Sequence, residues 1–236
     1  MKTCYVLACG PSIKEQDLTY LRNKPCITIS NFFVHPEFIN MDIKYHIFGR
    51  LHEPITTEMG IAWFTEAQNR MSSGQKVMVH SGDRGIVESN SLFTNQEVIY
   101  WSEGGVFPET IPERVDNYVS ISQVALQVGI KVALDEEFDD VIILGIDHSW
   151  VNHVNVSKHF YEEDESVLTR LGYNEWFNVH NKEQGEAMER TNLVRLSGAY
   201  DNYRNIANNL GVNVFNGTPN SLITSLPKKD IVPTKK

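Results

Sequence analysis

The sequence predicts an α/β fold, a mostly parallel sheet flanked by helices with a small lid-like insertion, and three observations lead there. Val141-Ile142-Ile143-Leu144 is an apolar run without alternation, the mark of a strand covered on both faces, which in practice is an interior parallel strand. Shorter apolar runs of the same kind recur, and each stops at Gly, Asn or another polar residue. Between and after them, Ser120 to Leu134 and Glu186 to Leu210 carry helical periodicity, so strands and helices alternate along the chain.

The central strand also places chemistry. Gly145 lets the backbone turn out of the sheet, and Asp147 and His148 then land just past the strand's carboxyl end. Ligands of open α/β sheets bind along that edge.

Composition narrows the function classes. At 236 residues with 41% apolar and 22% charged residues, the chain is long enough to bury a full core. No apolar run approaches the about 20 residues of a membrane span, and the N-terminus runs straight into a strand; the expectation is a cytoplasmic protein. A net charge of −9 argues against nucleic acid as a partner, because phosphate contacts need clustered Lys and Arg. The basic tail residues Lys228, Lys229, Lys235 and Lys236 leave a peripheral contact with an anionic membrane face open, and a homo-oligomer is equally open. Cys4, Cys9 and Cys26 lack paired spacing and sit in apolar runs, so they read as buried free thiols.

In order, Tyr5 to Ala8 is the first strand, followed by Cys9-Gly10-Pro11-Ser12. Gly10 permits a tight turn, Pro11 fixes φ, and Ser12 with Glu15 three residues on reads as a capping box, so strand, turn and helix start follow one another. Such a turn can present N–H groups to a phosphate. Pro25 to Ser30 is the second strand, closed by Asn31; Lys44 to Phe48 the third, closed by Gly49-Arg50; Lys76 to His80 and Val98 to Trp101 follow. A helix is expected around Ile61 to Asn69, and Ser81 to Asn95 and Ser102 to Asn117 read as irregular. In the helix from Ser120, Gln123, Gln127 and Lys131 form one narrow polar stripe on an otherwise apolar surface. The stretch 151–185, with His153, His159, His180 and several aromatics, reads as the lid, between a core at 1–150 and a helix and strand at 186–236 that complete it. Gly211 ends the long helix, Val212 to Phe215 is the last strand, and Thr218 is placed to cap a helical turn starting at Pro219.

Three of these pieces resemble known families. Gly10-Pro11-Ser12-Ile13-Lys14-Glu15 with Asn31, Ser122 through Asp147, and Asn213 to Leu222 are similar to the bacterial sialyltransferases of glycosyltransferase family 42. The segment Ser120 to Gln127, then Ile143 to His148 and His159-Phe160, resembles still more the related family named after the archaeal hydroxymethylpterin diphosphokinase, whose bacterial members look like surface-polysaccharide or flagellin-glycosylation proteins. The resemblance implies a Rossmann-like sheet binding a nucleotide, in the sialyltransferase case a CMP-linked sugar as donor substrate, with a glycan acceptor and no required cofactor. It implies that Gly10, Pro11 and Ser12 cradle phosphate, that Asn31 contacts the nucleotide, that Ser122, Gly145, Asp147 and His148 line the donor site, and that Asn220 and Ser221 close it. Cys9 stands where the sialyltransferases have Asn, and their catalytic His falls near Val194.

Transfer to a hydroxyl needs a base and a way to stabilise the departing phosphate. Imidazole suits the first task, which makes His159 or His180 the candidate base; Ser12, Asn31 and Tyr161 are the candidates around the leaving group. The alternatives are a pterin diphosphokinase using ATP and Mg²⁺ held by Asp147 and the acids 162–165, a transition-metal site of Asp147, His148, His153 and His159, and a non-catalytic nucleotide-sugar binder.

Overall fold

The computed structural model describes residues 1–102, 120–149, 159–161, 165–172 and 182–230. Its centre is a seven-stranded sheet of β1 (Thr3–Leu7), β2 (Pro25–Ile29), β3 (Asp42–Ile47), β4 (Lys76–His80), β5 (Glu97–Trp101), β6 (Asp140–Leu144) and β7 (Asn213–Asn216). The order is β5-β4-β3-β2-β1-β6-β7, and every pairing is parallel. All strand carboxyl ends therefore share one edge. Five helices accompany the sheet among the described residues: α1 (Thr57–Arg70), α2 (Arg84–Ser89), α3 (Ile121–Asp135), α4 (Val167–Arg170) and α5 (Lys182–Asn209). This is the Rossmann-like α/β arrangement the sequence predicts.

The strand order fixes where a ligand site can form. From β1 the chain builds outward one way through β5, then α3 returns it to β6 on the other side of β1. The order reverses between β1 and β6, and such a reversal opens a crevice beyond the carboxyl ends of the two strands. β6, buried along its whole length, pairs with β1 from Thr3↔Asp140 to Leu7↔Leu144. The unalternating pattern of Val141 to Leu144 thus has its physical cause in neighbours on both sides and cover on both faces.

Beneath β2 to β4, Phe48 meets Phe33, His46, Trp63, Phe64 and Phe93 in a continuous aromatic core. His46 is fully buried there, its Nδ1 2.8 Å from the Thr28 hydroxyl, and burial pushes its imidazole down to about 3. Cys4, Cys9 and Cys26 are buried free thiols, each pushed upward by burial and so held as the neutral thiol.

Several local expectations are corrected. Ser12 caps nothing: it lies inside a 3-10 turn, Pro11–Glu15, whose cap position is Gly10, because its hydroxyl is drawn to Asp147 instead. The stretch 81–95 is not irregular throughout, since it contains α2, a helix too short and Gly-interrupted to show a period. No helix follows Thr218; its hydroxyl accepts the Ile146 N–H. The expected excursion at 102–117 lies almost entirely outside the described residues, as does most of the lid at 151–185, of which 159–161 and 165–172 are described.

Candidate functional site

The crevice between β1 and β6 is closed by a contact the sequence places 135 positions apart. The Ser12 N–H donates to Asp147 Oδ1 at 3.1 Å and the Ser12 hydroxyl to Oδ2 at 2.8 Å, while the Gly10 N–H donates to the Gly145 carbonyl at 2.9 Å. Gly10 is required by this closeness: a Cβ there would lie 1.9 Å from Asp147 Oδ2 and 2.4 Å from the Gly145 oxygen. Gly145 has φ +75°, and a Cβ on it would lie 2.4 Å from the Ala8 oxygen. Burial raises the Asp147 carboxyl above its ordinary range, and the two bonds from Ser12 oppose the rise. Within the Gly10-Pro11-Ser12 turn it is therefore Ser12 that grips a carboxylate of the chain itself, while Gly10 holds the Gly145 carbonyl. A phosphate on this turn would have to take Asp147's place.

The far side of the β6 turn is pinned from the carboxy-terminal segment. Thr218 Oγ1 accepts the Ile146 N–H at 3.1 Å, the Ser221 hydroxyl donates to the Ile146 carbonyl, and the Leu222 N–H donates to the Asp147 carbonyl at 3.1 Å. Ser221 is buried in that role, whereas its neighbour Asn220 is exposed with φ +53°. Ser221 acts as a support of the turn.

His148 follows immediately, partly buried and with φ +49°. A left-handed backbone is uncommon for a residue other than Gly, and such strain is held in place only by its surroundings. Its Nε2 lies 3.4 Å from the hydroxyl of Tyr200 on α5, which lies 2.6 Å from the hydroxyl of Ser122 on α3, itself 2.9 Å from that of Ser120. Ser120 caps α3 in a full capping box with Gln123. In a parallel sheet the helices run against the strands, so α3 begins at the carboxyl edge, which is why its first turn reaches the site. Burial pushes the His148 imidazole down to about 4 and raises the Tyr200 hydroxyl, so both are uncharged at neutral pH.

A second group gathers at the end of β2. Asn31 is buried; its amide nitrogen donates to the Tyr161 hydroxyl at 3.0 Å and to the Ser166 hydroxyl at 3.2 Å, and its oxygen accepts from the Trp63 indole N–H. The amide is thus occupied within the protein, tying α1, the 159–161 segment and the start of α4 to the sheet edge. The Phe160 N–H donates to the Cys9 carbonyl at 3.1 Å, and Phe160 packs on Phe32 and His35. His159 stacks on Tyr161 with ring centroids 4.8 Å apart and planes 11° from parallel. His159 and Tyr161 therefore do stand over the carboxyl edge, near Asn31. His180 and His153 lie outside the described residues.

Tyr200, Trp63 and Ser166 contact the candidate site residues and were missed by sequence reasoning. Tyr200 reads as one more member of the apolar stripe of α5; the available signal was its hydroxyl, which at full burial requires a partner. Among the described residues no three His, Cys, Asp or Glu side chains stand together as a metal site, and no helix is long and apolar enough to cross a membrane. No protein-family model, curated protein or solved structure matches the chain significantly.

Proposed function

We propose that the protein is a glycosyltransferase that takes its sugar from a nucleotide-activated donor, a CMP-linked sialic-acid-like sugar, and acts in the synthesis of a bacterial surface glycan such as lipopolysaccharide, capsule or glycosylated flagellin. The observation that carries this reading is the convergence of polar side chains from separate elements on the β1/β6 reversal: Ser12, Asp147, His148, Ser122 and Tyr200. The resemblance of those same stretches to the sialyltransferase-like families supplies the donor class. Beside this cleft, His159 over Tyr161 takes the acceptor proton, and the Tyr161 hydroxyl, held by Asn31, stands by the departing nucleotide phosphate. Asp147, already engaged by Ser12, keeps acceptor lone pairs for donor hydroxyls.

Release of CMP from a CMP-linked nonulosonic acid, with and without a glycan acceptor, tests the reading. Wild-type protein releases CMP; His159→Ala lowers kcat by about 10²-fold or more, the usual scale of a lost general base. If His159→Ala and His180→Ala both keep full turnover, the assignment of the base fails. Turnover of ATP with Mg²⁺ in place of any CMP-sugar would replace this reading with phosphoryl transfer of the pterin diphosphokinase type.

A further inference from the structure

The chain Ser120, Ser122, Tyr200 and His148 links three elements through side-chain contacts of 2.9, 2.6 and 3.4 Å. Its middle members are sealed from solvent: Ser122 is 2% exposed and Tyr200 0%. We infer that Tyr200, backed by Ser122 and Ser120, is a positioning residue that fixes His148 as the Nδ1–H tautomer and so sets an uncharged N–H donor at the β1/β6 edge.

Counting protons gives the direction. Each hydroxyl has one proton to donate, and the four groups make three links. Ser120 Oγ also accepts the Ser122 N–H, at 3.4 Å. If the chain runs Ser120 to Ser122 to Tyr200 to His148, all three hydroxyl protons are used within it and Nε2 is the acceptor. Run the other way, Nε2–H donates to Tyr200 and the Ser120 proton is left with no acceptor in the chain. Only the first direction uses every hydroxyl proton inside the network and leaves a single donor, on the His148 ring, pointing out of it. The hydrogen bond made by one imidazole nitrogen decides where the proton sits on the other. Nδ1 then carries it, and among the described residues no partner stands at Nδ1. The φ of +49° at His148 fits a ring whose orientation is set by this contact at the expense of local backbone comfort.

The functional consequence rests on the transferase reading. A neutral Nδ1–H can hydrogen-bond an oxygen of the departing nucleotide phosphate without giving up its proton, so His148 would stabilise the leaving group while His159 acts as the base. The relay itself is independent of that role.

The test is ¹⁵N NMR of histidine-labelled full-length protein, with His148 assigned from the signal lost in His148→Gln. Expected at neutral pH are a pyrrole-type Nδ1 and a pyridine-type Nε2, with Tyr200→Phe moving both nitrogens toward the averaged shifts of an unrestrained histidine. Ser122→Ala, which keeps the Tyr200 ring, shifts them part of the way and covers the case in which Tyr200→Phe does not fold. On the transferase side, Tyr200→Phe lowers kcat for CMP release about tenfold with KM for the donor unchanged. A pyrrole-type Nε2 in the wild type, or shifts that neither variant moves, overturns the relay. A relay that behaves as inferred in a protein that releases no CMP keeps the relay and overturns the transferase reading.

Discussion

Replacing Gly10 by Ala puts a methyl group where the Asp147 carboxylate lies. With the new Cβ 1.9 Å from Oδ2 and 2.8 Å from Cγ, Asp147 has to leave the Ser12 turn, and both bonds from Ser12 go with it. Hydrogen bonds to a charged group are worth about 1.5–3 kcal/mol each, so the loss is roughly 3–6 kcal/mol. The Gly145 carbonyl, 2.4 Å away, is backbone and must shift as well, which makes the lower end of that range a floor. Against the about 5–15 kcal/mol by which folded domains are stable, such a loss is severe. Urea denaturation of wild type and variant measures it. Ser12→Ala, which removes only the hydroxyl bond, costs about 1.5–3 kcal/mol, and adding it to Gly10→Ala costs little more, because the bond is already gone. A Gly10→Ala variant within about 1 kcal/mol of wild type, or strictly additive variants, would refute the claim that this turn and Asp147 form one unit.

Gly198 lies inside α5 with open space around it, so Gly198→Ala stabilises by about 0.5–1 kcal/mol through helix propensity; a lower denaturation midpoint would contradict the packing of that face. Asn31→Ala strands the buried Trp63 N–H and two hydroxyls and costs about 2–4 kcal/mol, read by the same assay; a loss below 1 kcal/mol would deny Asn31 its tying role. The pH dependence has a definite sign. His46, held down at about 3 against an ordinary 6.5, stays neutral in the folded protein while the unfolded chain takes up a proton. Its contribution is whole above the ordinary value and drains as pH falls from about 6.5 toward 3, by up to about 1.4 kcal/mol per pH unit. His148, at about 4 but partly exposed, adds a smaller loss in the upper part of that window. Stability measured between pH 6 and pH 4 therefore falls in wild type with a slope that His46→Met reduces by about one proton; an unchanged slope would refute the assignment.

The fold was legible wherever burial on both faces leaves its mark on residue type. Val141 to Leu144 read as an interior strand, and the narrow polar stripe of Gln123, Gln127 and Lys131 on an otherwise apolar surface marked α3. The strand order was not legible, because it depends on which pieces meet, and the β1/β6 reversal appears only with the pairings in hand. For the candidate site, proximity to strand ends was the legible signal, and it made Gly10, Ser12, Asn31, Asp147 and His148 candidates. Their bonding was hidden: Ser12 reads as a helix cap from its neighbours, and only its approach to Asp147 across the sheet edge turns it into a clasp. Tyr200 was hidden for a different reason. A tyrosine in an apolar stripe looks like core, and its hydroxyl acquires meaning only when Ser122 and His148 arrive from other elements.

The measurement that bears most directly on the proposed donor is a thermal-shift panel of CMP, CDP, UDP, GDP, ATP and a pterin, each with and without Mg²⁺. A ligand that binds only the folded state adds about 2.7 kcal/mol at a hundredfold excess over its Kd, which for a domain of this size is a rise of roughly 5–10 °C in Tm. CMP is expected to give that rise, without a need for Mg²⁺ and larger than the other nucleotides give. A rise confined to ATP with Mg²⁺, or no rise with CMP at millimolar concentration, would contradict it.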